Sequence, residues 1–279
     1  MNVKELQPCG VEITGIDLST GEYDDTVKEM FEKYGLLVFR DQKLDHEQQK
    51  RILAKCGPVL EDFRTVGYVS NTRADGILGD TEVSFHSDFN YTAHPALGIS
   101  LHAIKVPYEE TWTNFADGER GLAKLSPETR KRIENLKGLN IFSASEEGVK
   151  GRQTLEGYPE DAPRYSHSLV HTDPITKQKV LYACQQNTVR IEGVSEEEGE
   201  KLIEEFLEAL YSPDNIYQHR WRDGDFVMWS NQKLHHARGG LVPGKERTLQ
   251  RVVITDAEPH EYDAPIPEDR LPPSMRKGY

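Results

Sequence analysis

Phe85-His86-Ser87-Asp88-Phe89-Asn90 sets an imidazole and a carboxylate two residues apart in a run that alternates like a β-strand. Side chains at i and i+2 of a strand leave the same face, so His86 and Asp88 converge on one point. One imidazole nitrogen and one carboxylate oxygen are two of the three ligands of the facial triad that holds non-heme Fe(II) on one side and leaves the other side open. A lone His-x-Asp is more often a strand histidine bonded to a polar neighbour, so the metal reading needs a distant third ligand.

Candidates for it stand in the last third of the chain. Asp223 to Arg238 reads as a turn feeding a buried strand, and after Gly239-Gly240 and Pro243-Gly244 a second strand returns from Arg247 to Ile254. Adjacent strand residues face opposite ways, so only one of His235 and His236 can meet a metal held by His86 and Asp88, and alternation alone leaves open which. Arg247 and Arg251 lie four apart and share a face. Two inward guanidiniums are costly to bury without anions. A dicarboxylate co-substrate meets that need, with an arginine fork on the far carboxylate and the near end on the metal, and Thr113 can add a hydroxyl.

The rest of the composition narrows the class. A chain of 279 residues is long enough for one large domain with a full core, and no linker or repeat divides it. No apolar run approaches the length of a membrane span, and the N-terminus carries no export or organelle signal, so a soluble cytoplasmic protein is expected. Three scattered cysteines, Cys9, Cys56 and Cys184, argue against a disulfide framework and suit a reducing compartment. A net charge of -13 makes nucleic acid an unsuitable partner. The expected partner is a small-molecule substrate, and a homo-oligomer is compatible with this composition.

Outward from the centre, Gly10 to Leu18 alternates as a strand, Asp24 to Gly35 is a capped helix, Leu36 to Gln42 is a buried strand, and Asp45 to Gly57 is a second capped helix. Pro95 to Pro107 and Thr111 to Asp117 read as strands. Helices follow at Asp117 to Lys124 and from Ser126, which caps, with Pro127 in the first helical position. Ser143 to Pro163 is aperiodic and reads as a mobile loop or lid. A strand-turn-strand unit spans Ser166 to His171 and Lys179 to Gln185, and Glu196 to Tyr211 is an acidic amphipathic helix with Leu202, Ile203, Phe206, Leu207 and Leu210 inward. His46, His94 and His102 read as surface, capping or packed residues, and the tail from Pro259 as a surface wrap.

The order His86-x-Asp88, Thr113, His236, Arg247, Arg251 resembles the taurine dioxygenase and 2,4-dichlorophenoxyacetate dioxygenase family of Fe(II)/2-oxoglutarate-dependent oxygenases. Similarity runs through Gly15 to Leu18, Leu37 to Gln42, the His86 block, Val170 to Thr176, Leu181-Tyr182, Thr188 to Ile191 and Trp229 to His236. In that family the distal histidine precedes the first arginine by eleven residues and the second by fifteen, the separations of Arg247 and Arg251 from His236. The resemblance therefore implies His86, Asp88 and His236 as iron ligands. It implies Thr113 and Arg247 at the distal carboxylate of 2-oxoglutarate, with Arg251 between the co-substrate and an anionic group of the primary substrate. The implied fold is mainly β with flanking helices, a double-stranded β-helix or jelly-roll barrel of the cupin-like kind. The implied activity consumes O2 and 2-oxoglutarate, releases succinate and CO2, and hydroxylates, desaturates, cyclises or cleaves at a C–H bond.

Asp88 also argues against halogenation, since family-like halogenases lack a carboxylate there. The substrate pocket departs from taurine dioxygenase: Gly57 to Tyr68 lacks its His and Tyr, and Asn187 stands where it has an aromatic residue. Glu82 is a candidate for meeting a cationic amine, which with Arg251 would hold a zwitterion. The rivals are a zinc hydrolase, which leaves Thr113 and Arg247 unexplained, and a non-catalytic binding barrel.

Overall fold

Leu36–Phe39 and Phe226–Ser230 are buried at every position, as expected of strands covered on both faces. They pair antiparallel in the middle of an eight-stranded sheet. This computed structural model of the protein describes residues 1–61, 66–142, 146–156, 158, 160, 163–240, 242–257 and 276. With strands numbered along the chain, the order across the large sheet is β1 (Asn2–Glu5), β2 (Val11–Thr14), β3 (Leu36–Phe39), β15 (Phe226–Ser230), β7 (Gly98–Lys105), β17 (Thr248–Ile254), β4 (Gly67–Ser70) and β5 (Gly76–Leu78). A four-stranded sheet runs β14 (Ile216–Arg220), β8 (Trp112–Asp117), β16 (Leu234–Gly239), β6 (Val83–His86). Smaller units join β10 (Arg164–Ser168), β9 (Lys137–Ile141) and β13 (Thr188–Glu192), and separately β11 (Val170–Thr172) with β12 (Lys179–Leu181).

Alternation sorts the side chains into layers. Leu36, Val38, Val227, Trp229, Leu249 and Val253 of the large sheet share one cluster with Phe115, Trp221 and Leu234, so the two main sheets face each other. Their neighbours Leu37, Phe39, Phe226, Met228, Val252 and Ile254 point outward and pack on helices. Among the described residues the α-helices are α1 (Asp24–Tyr34), α2 (His46–Ala54), α3 (Gly118–Lys124), α4 (Pro127–Ile133), α5 (Glu146–Lys150) and α6 (Glu196–Tyr211). Val27 and Phe31 of α1 and Ile52 and Leu53 of α2 cover the large sheet. Leu202, Ile203, Phe206 and Leu210 of α6 bury a third cluster with Leu181 and Ile191.

Local chemistry explains the helix limits. Asp45 and Gln48 form a reciprocal capping box, and Ser126 and Ser195 accept from the backbone N–H three residues on. Gly35 ends α1 at φ 69°, where its N–H reaches Phe31. Gly57 does not close α2: the helix stops at Ala54, with Lys55 N–H tightening back onto Ile52 and Leu53.

Some expectations are corrected. β1, β5, β9 and β14 escape the periodicity reading because they are short or polar and owe their structure to partners. The unit from Ser166 to His171 divides at buried Leu169: β10 pairs with β9, while β11 pairs with β12 across the Asp173 turn. The aperiodic segment 143–163 contains helix α5, whose Val149 is fully buried. Ser84 Oγ donates to the carbonyls of Val149 (3.1 Å) and Gly151 (3.2 Å), docking this part of the expected lid on β6. Residues 143–145, 157, 159, 161 and 162 of that lid, and the tail from Pro259 apart from Arg276, lie outside the described residues. No helix among the described residues is long and apolar enough to cross a membrane.

Candidate metal centre

The pairing of β16 with β8 and β6 puts His236 opposite Phe115 on one side and His86 on the other. Leu234 and Phe115 belong to the cluster between the sheets, so His236, two residues from Leu234, faces that interior. His235 faces the other way. Its Nδ1 meets the Tyr211 hydroxyl of α6 at 3.1 Å, and burial pushes its pKa down to about 3.

One donor atom from each of His86, Asp88 and His236 lies within 4.8 Å of the others, and no other such group occurs among the described residues. The two imidazole rings are 4.1 Å apart, and His86 Nε2 is 3.2 Å from Asp88 Oδ1. His86 Nδ1 donates to the Ser84 carbonyl at 2.9 Å, which leaves Nε2 with the lone pair a metal needs. His236 Nδ1 is buried with no hydrogen-bond partner among the described residues. Burial, followed by the charge of His86, drives the His236 pKa far down and keeps the ring neutral. Burial acts to raise the Asp88 pKa, but the Arg251 guanidinium and then the two imidazoles outweigh it, so the carboxyl stays well below the usual range. Two imidazoles, one of them held neutral by burial, and an ionised carboxylate are a donor set that fits a divalent metal.

The way Asp88 arrives corrects the simple strand picture. β6 ends at His86, and Asp88 sits in a turn whose next residue, Phe89, has φ 60°. A register shift between His236 and Arg238 inserts one extra residue on the β6 side, a bulge that re-aims the strand end. Asn231, fully buried, staples the turn: its Oδ1 accepts from Asp88 N–H (2.9 Å), and its Nδ2 donates to Ser87 Oγ (3.0 Å), Asp88 O (3.0 Å) and Ala96 O (2.9 Å). Sequence analysis gives Asn231 no role, because nothing in a linear pattern shows a side chain spanning to a turn 143 residues away. Asn231→Ala is expected to cost about 3 kcal/mol of stability, since it strands several buried partners. It is also expected to weaken metal binding by roughly 10- to 100-fold. Thermal melts and metal titration check this; a variant that binds metal like the wild type removes Asn231 from the site.

The cation candidates lie along the same interior. Arg251 on β17 forms an ion pair with Asp88 Oδ2. Arg247, just before β17, is buried; its Nε donates to Thr111 Oγ1 at 3.0 Å, and its NH1 is buried with no partner among the described residues. Burial holds its pKa well below the usual guanidinium value. Thr113 is buried on β8 and accepts from Trp221 Nε1 at 3.0 Å, so Thr111, not Thr113, is the residue bonded to Arg247. Two substrate candidates stand differently. Glu82 is exposed ahead of β6, and no contact ties it to the cluster among the described residues. Asn187 is buried, its Nδ2 fixed to Ile141 O (3.1 Å) and its Oδ1 without a partner among the described residues.

Comparison with known proteins places the chain in a family. The family model described as "Taurine catabolism dioxygenase TauD, TfdA family" matches residues 2–253. The (S)-phenoxypropionate/alpha-ketoglutarate-dioxygenase of Sphingobium herbicidovorans is 30% identical over 250 residues, covering 81% of this chain and 85% of the relative. Pentalenolactone F synthase of Streptomyces arenae is 29% identical over 226 residues, covering 77% and 72%. Among solved structures, AAD-2 in complex with Mn(II) and N-oxalylglycine aligns with a TM-score of 0.75 at 26% identity, covering 92% of this chain and 98% of that one. A taurine dioxygenase from Burkholderia xenovorans aligns with a TM-score of 0.75 at 22% identity, covering 91% and 89%, and shares the fold. The chain belongs to the TauD/TfdA family of 2-oxoglutarate-dependent dioxygenases.

Proposed function

We propose that His86, Asp88 and His236 hold the Fe(II) of this dioxygenase, that Arg247 and Thr113 receive the far carboxylate of 2-oxoglutarate, and that Arg251 lies between the co-substrate and an anionic group of the primary substrate. The observation that carries this reading is the convergence of two imidazoles and one carboxylate within 4.8 Å. Iron bound there with 2-oxoglutarate and O2 supplies oxidation of a substrate C–H bond, with release of succinate and CO2.

The chain's own groups do the positioning. On β8, Thr113 stands two residues from Phe115, the partner of His236. Two strand residues span about 7 Å, which suits a five-carbon diacid with one end at the metal. Because the Thr113 hydroxyl already accepts from Trp221, its own proton is free to be donated to a carboxylate. The buried NH1 of Arg247, without a partner among the described residues, is a second donor. Arg251, bound to Asp88, keeps that ligand ionised and presents positive charge beside the reaction centre.

The primary substrate is read as a small anionic or zwitterionic metabolite. The exposure of Glu82 gives the anionic contact at Arg251 more weight than a contact to an amine. Hydroxylation, desaturation, cyclisation and cleavage all remain outcomes of the same site chemistry. The facing eight- and four-stranded sheets are read as the two halves of a double-stranded β-helix, or jelly-roll. Three free cysteines support a reducing, cytoplasmic setting.

Oxygen uptake coupled to 2-oxoglutarate turnover, run with Fe(II) and in parallel with Zn(II), tests the reading. Succinate is expected with iron alone. Turnover with zinc, or no succinate under any iron loading, overturns it. Screening small acids anaerobically against the Fe(II)/2-oxoglutarate complex for a shift in its absorption band then selects the primary substrate.

A further inference from the structure

Arg238 has no part in the assignment above, yet its position is unusual. It follows His236 by two residues on β16, shares its face, and lies opposite Thr113 on β8. The side chain is buried, with NH1 donating to Leu78 O (3.0 Å) and NH2 to Gly79 O (2.5 Å). Its Nε is buried without a partner among the described residues. Arg247 is in the same condition, with Nε bound and NH1 without a partner.

These two guanidiniums act on each other. Thr111 links them: its Oγ1 accepts from Arg247 Nε at 3.0 Å and donates to the carbonyl of Gly239, the residue next to Arg238, at 3.3 Å, and the charge of Arg238 adds to burial in lowering the Arg247 pKa. The acid that acts on both is Asp80, which is exposed and accepts from Asn71 Nδ2 at 2.8 Å. Among the described residues no ion pair joins Arg238 or Arg247 to a carboxylate. Two neighbouring buried cations, each with an unused N–H, are held together at a large desolvation and repulsion penalty. A single anion shared between them relieves both.

Resting on the co-substrate reading above, we infer that Arg238 is a second binding residue for the far carboxylate of 2-oxoglutarate, acting with Arg247 from the opposite sheet. The competing role is a brace: its bonds to Leu78 and Gly79 hold the turn that leads into β6, where φ is 68° and 36°.

Binding to the Mn(II)-loaded protein separates the two roles. N-oxalylglycine carries both a chelating end and a far carboxylate, whereas N-methyloxamate keeps the chelating end and lacks the carboxylate. For Arg238→Gln, calorimetry is expected to show N-oxalylglycine weakened by roughly 10- to 100-fold, the worth of one charge-assisted hydrogen bond, with N-methyloxamate unchanged. Equal loss on both ligands, or loss on neither, overturns the inference. Should Arg238→Gln melt below the assay temperature, Arg238→Lys decides: it keeps the charge without the fork, so a loss of roughly 3- to 10-fold confined to N-oxalylglycine is expected, and equal loss on both ligands overturns the inference. Failure of the wild type to bind N-oxalylglycine strikes the co-substrate reading itself, a different result from either variant.

Discussion

His236→Ala is expected to abolish metal-dependent succinate formation by at least ~10³-fold, about 4 kcal/mol of transition-state stabilisation, while its neighbour His235 tolerates Gln with the metal still bound. The contrast follows from strand parity. His236 shares the interior face with Leu234, and its ring lies 4.1 Å from that of His86. His235 points to α6, where it bonds Tyr211 and packs near Tyr182. Removing His236 leaves one imidazole and one carboxylate, too few donors to hold the ion in the arrangement an open coordination face requires. Replacing His235 disturbs a buried packing contact instead, so a lower melting temperature with full metal content is expected. Elemental analysis of the purified variants and quantification of succinate read the two effects separately. A His236→Ala protein that keeps its metal, or a His235→Gln protein that loses it, reverses the ligand assignment.

How much of this was legible in the chain depends on whether the signal was local. The continuous apolar runs at Leu36–Phe39 and Phe226–Ser230, the Asp45 box with Gln48, and the Ser126-Pro127 start are encoded within a few residues, and each appears within the stretch where the pattern puts it, although the first strand stops at Phe39 short of the expected Gln42. Parity also puts Arg247 and Arg251 on one face: Arg251, between Leu249 and Val253, pairs with Asp88, and Arg247, just before the strand, bonds Thr111. The choice between His235 and His236 was beyond alternation, because it depends on which face meets the second sheet. The His-x-Asp pair was found for an incomplete reason. The two residues do converge, but through a strand end, a bulge and a turn stapled by Asn231, not along one continuous strand. Thr111 and Arg238 stand apart from these, since a buried threonine and a strand arginine gain most of their meaning from what lies across the ladder. Even so, the two-residue step from His236 to Arg238 is a same-face spacing that parity could have flagged. Polar strands such as β14 were missed because the tertiary partner, not hydropathy, makes them strands.

Arg247→Met is expected to move two measurements in opposite directions. The ligand-free protein should become more stable, by about 1–3 kcal/mol, because a buried guanidinium with an unmade hydrogen bond is replaced by an apolar side chain of similar length. The lost bond to Thr111 offsets only about 1 kcal/mol of that, and Thr111 keeps its contact to the Gly239 carbonyl at 3.3 Å. Relief of repulsion with Arg238 works in the same direction. At the same time the variant should lose its grip on the co-substrate, with KM for 2-oxoglutarate raised by roughly 100-fold, the scale of a truncated buried charge pair. In wild type, N-oxalylglycine at about 100 times its Kd should stabilise the Mn(II) form by about 2.7 kcal/mol, and that increment should nearly vanish in the variant. Thermal melts with and without the ligand show both effects in one experiment. A ligand-free Arg247→Met protein that melts below the wild type makes Arg247 a structural brace, already satisfied without an anion. A variant that is stabilised by N-oxalylglycine as strongly as the wild type moves the far-carboxylate site elsewhere. Only a cation buried in readiness for an anion predicts a gain in stability together with a loss in binding, and a fold that keeps such a residue sacrifices stability to hold its co-substrate in register with the metal.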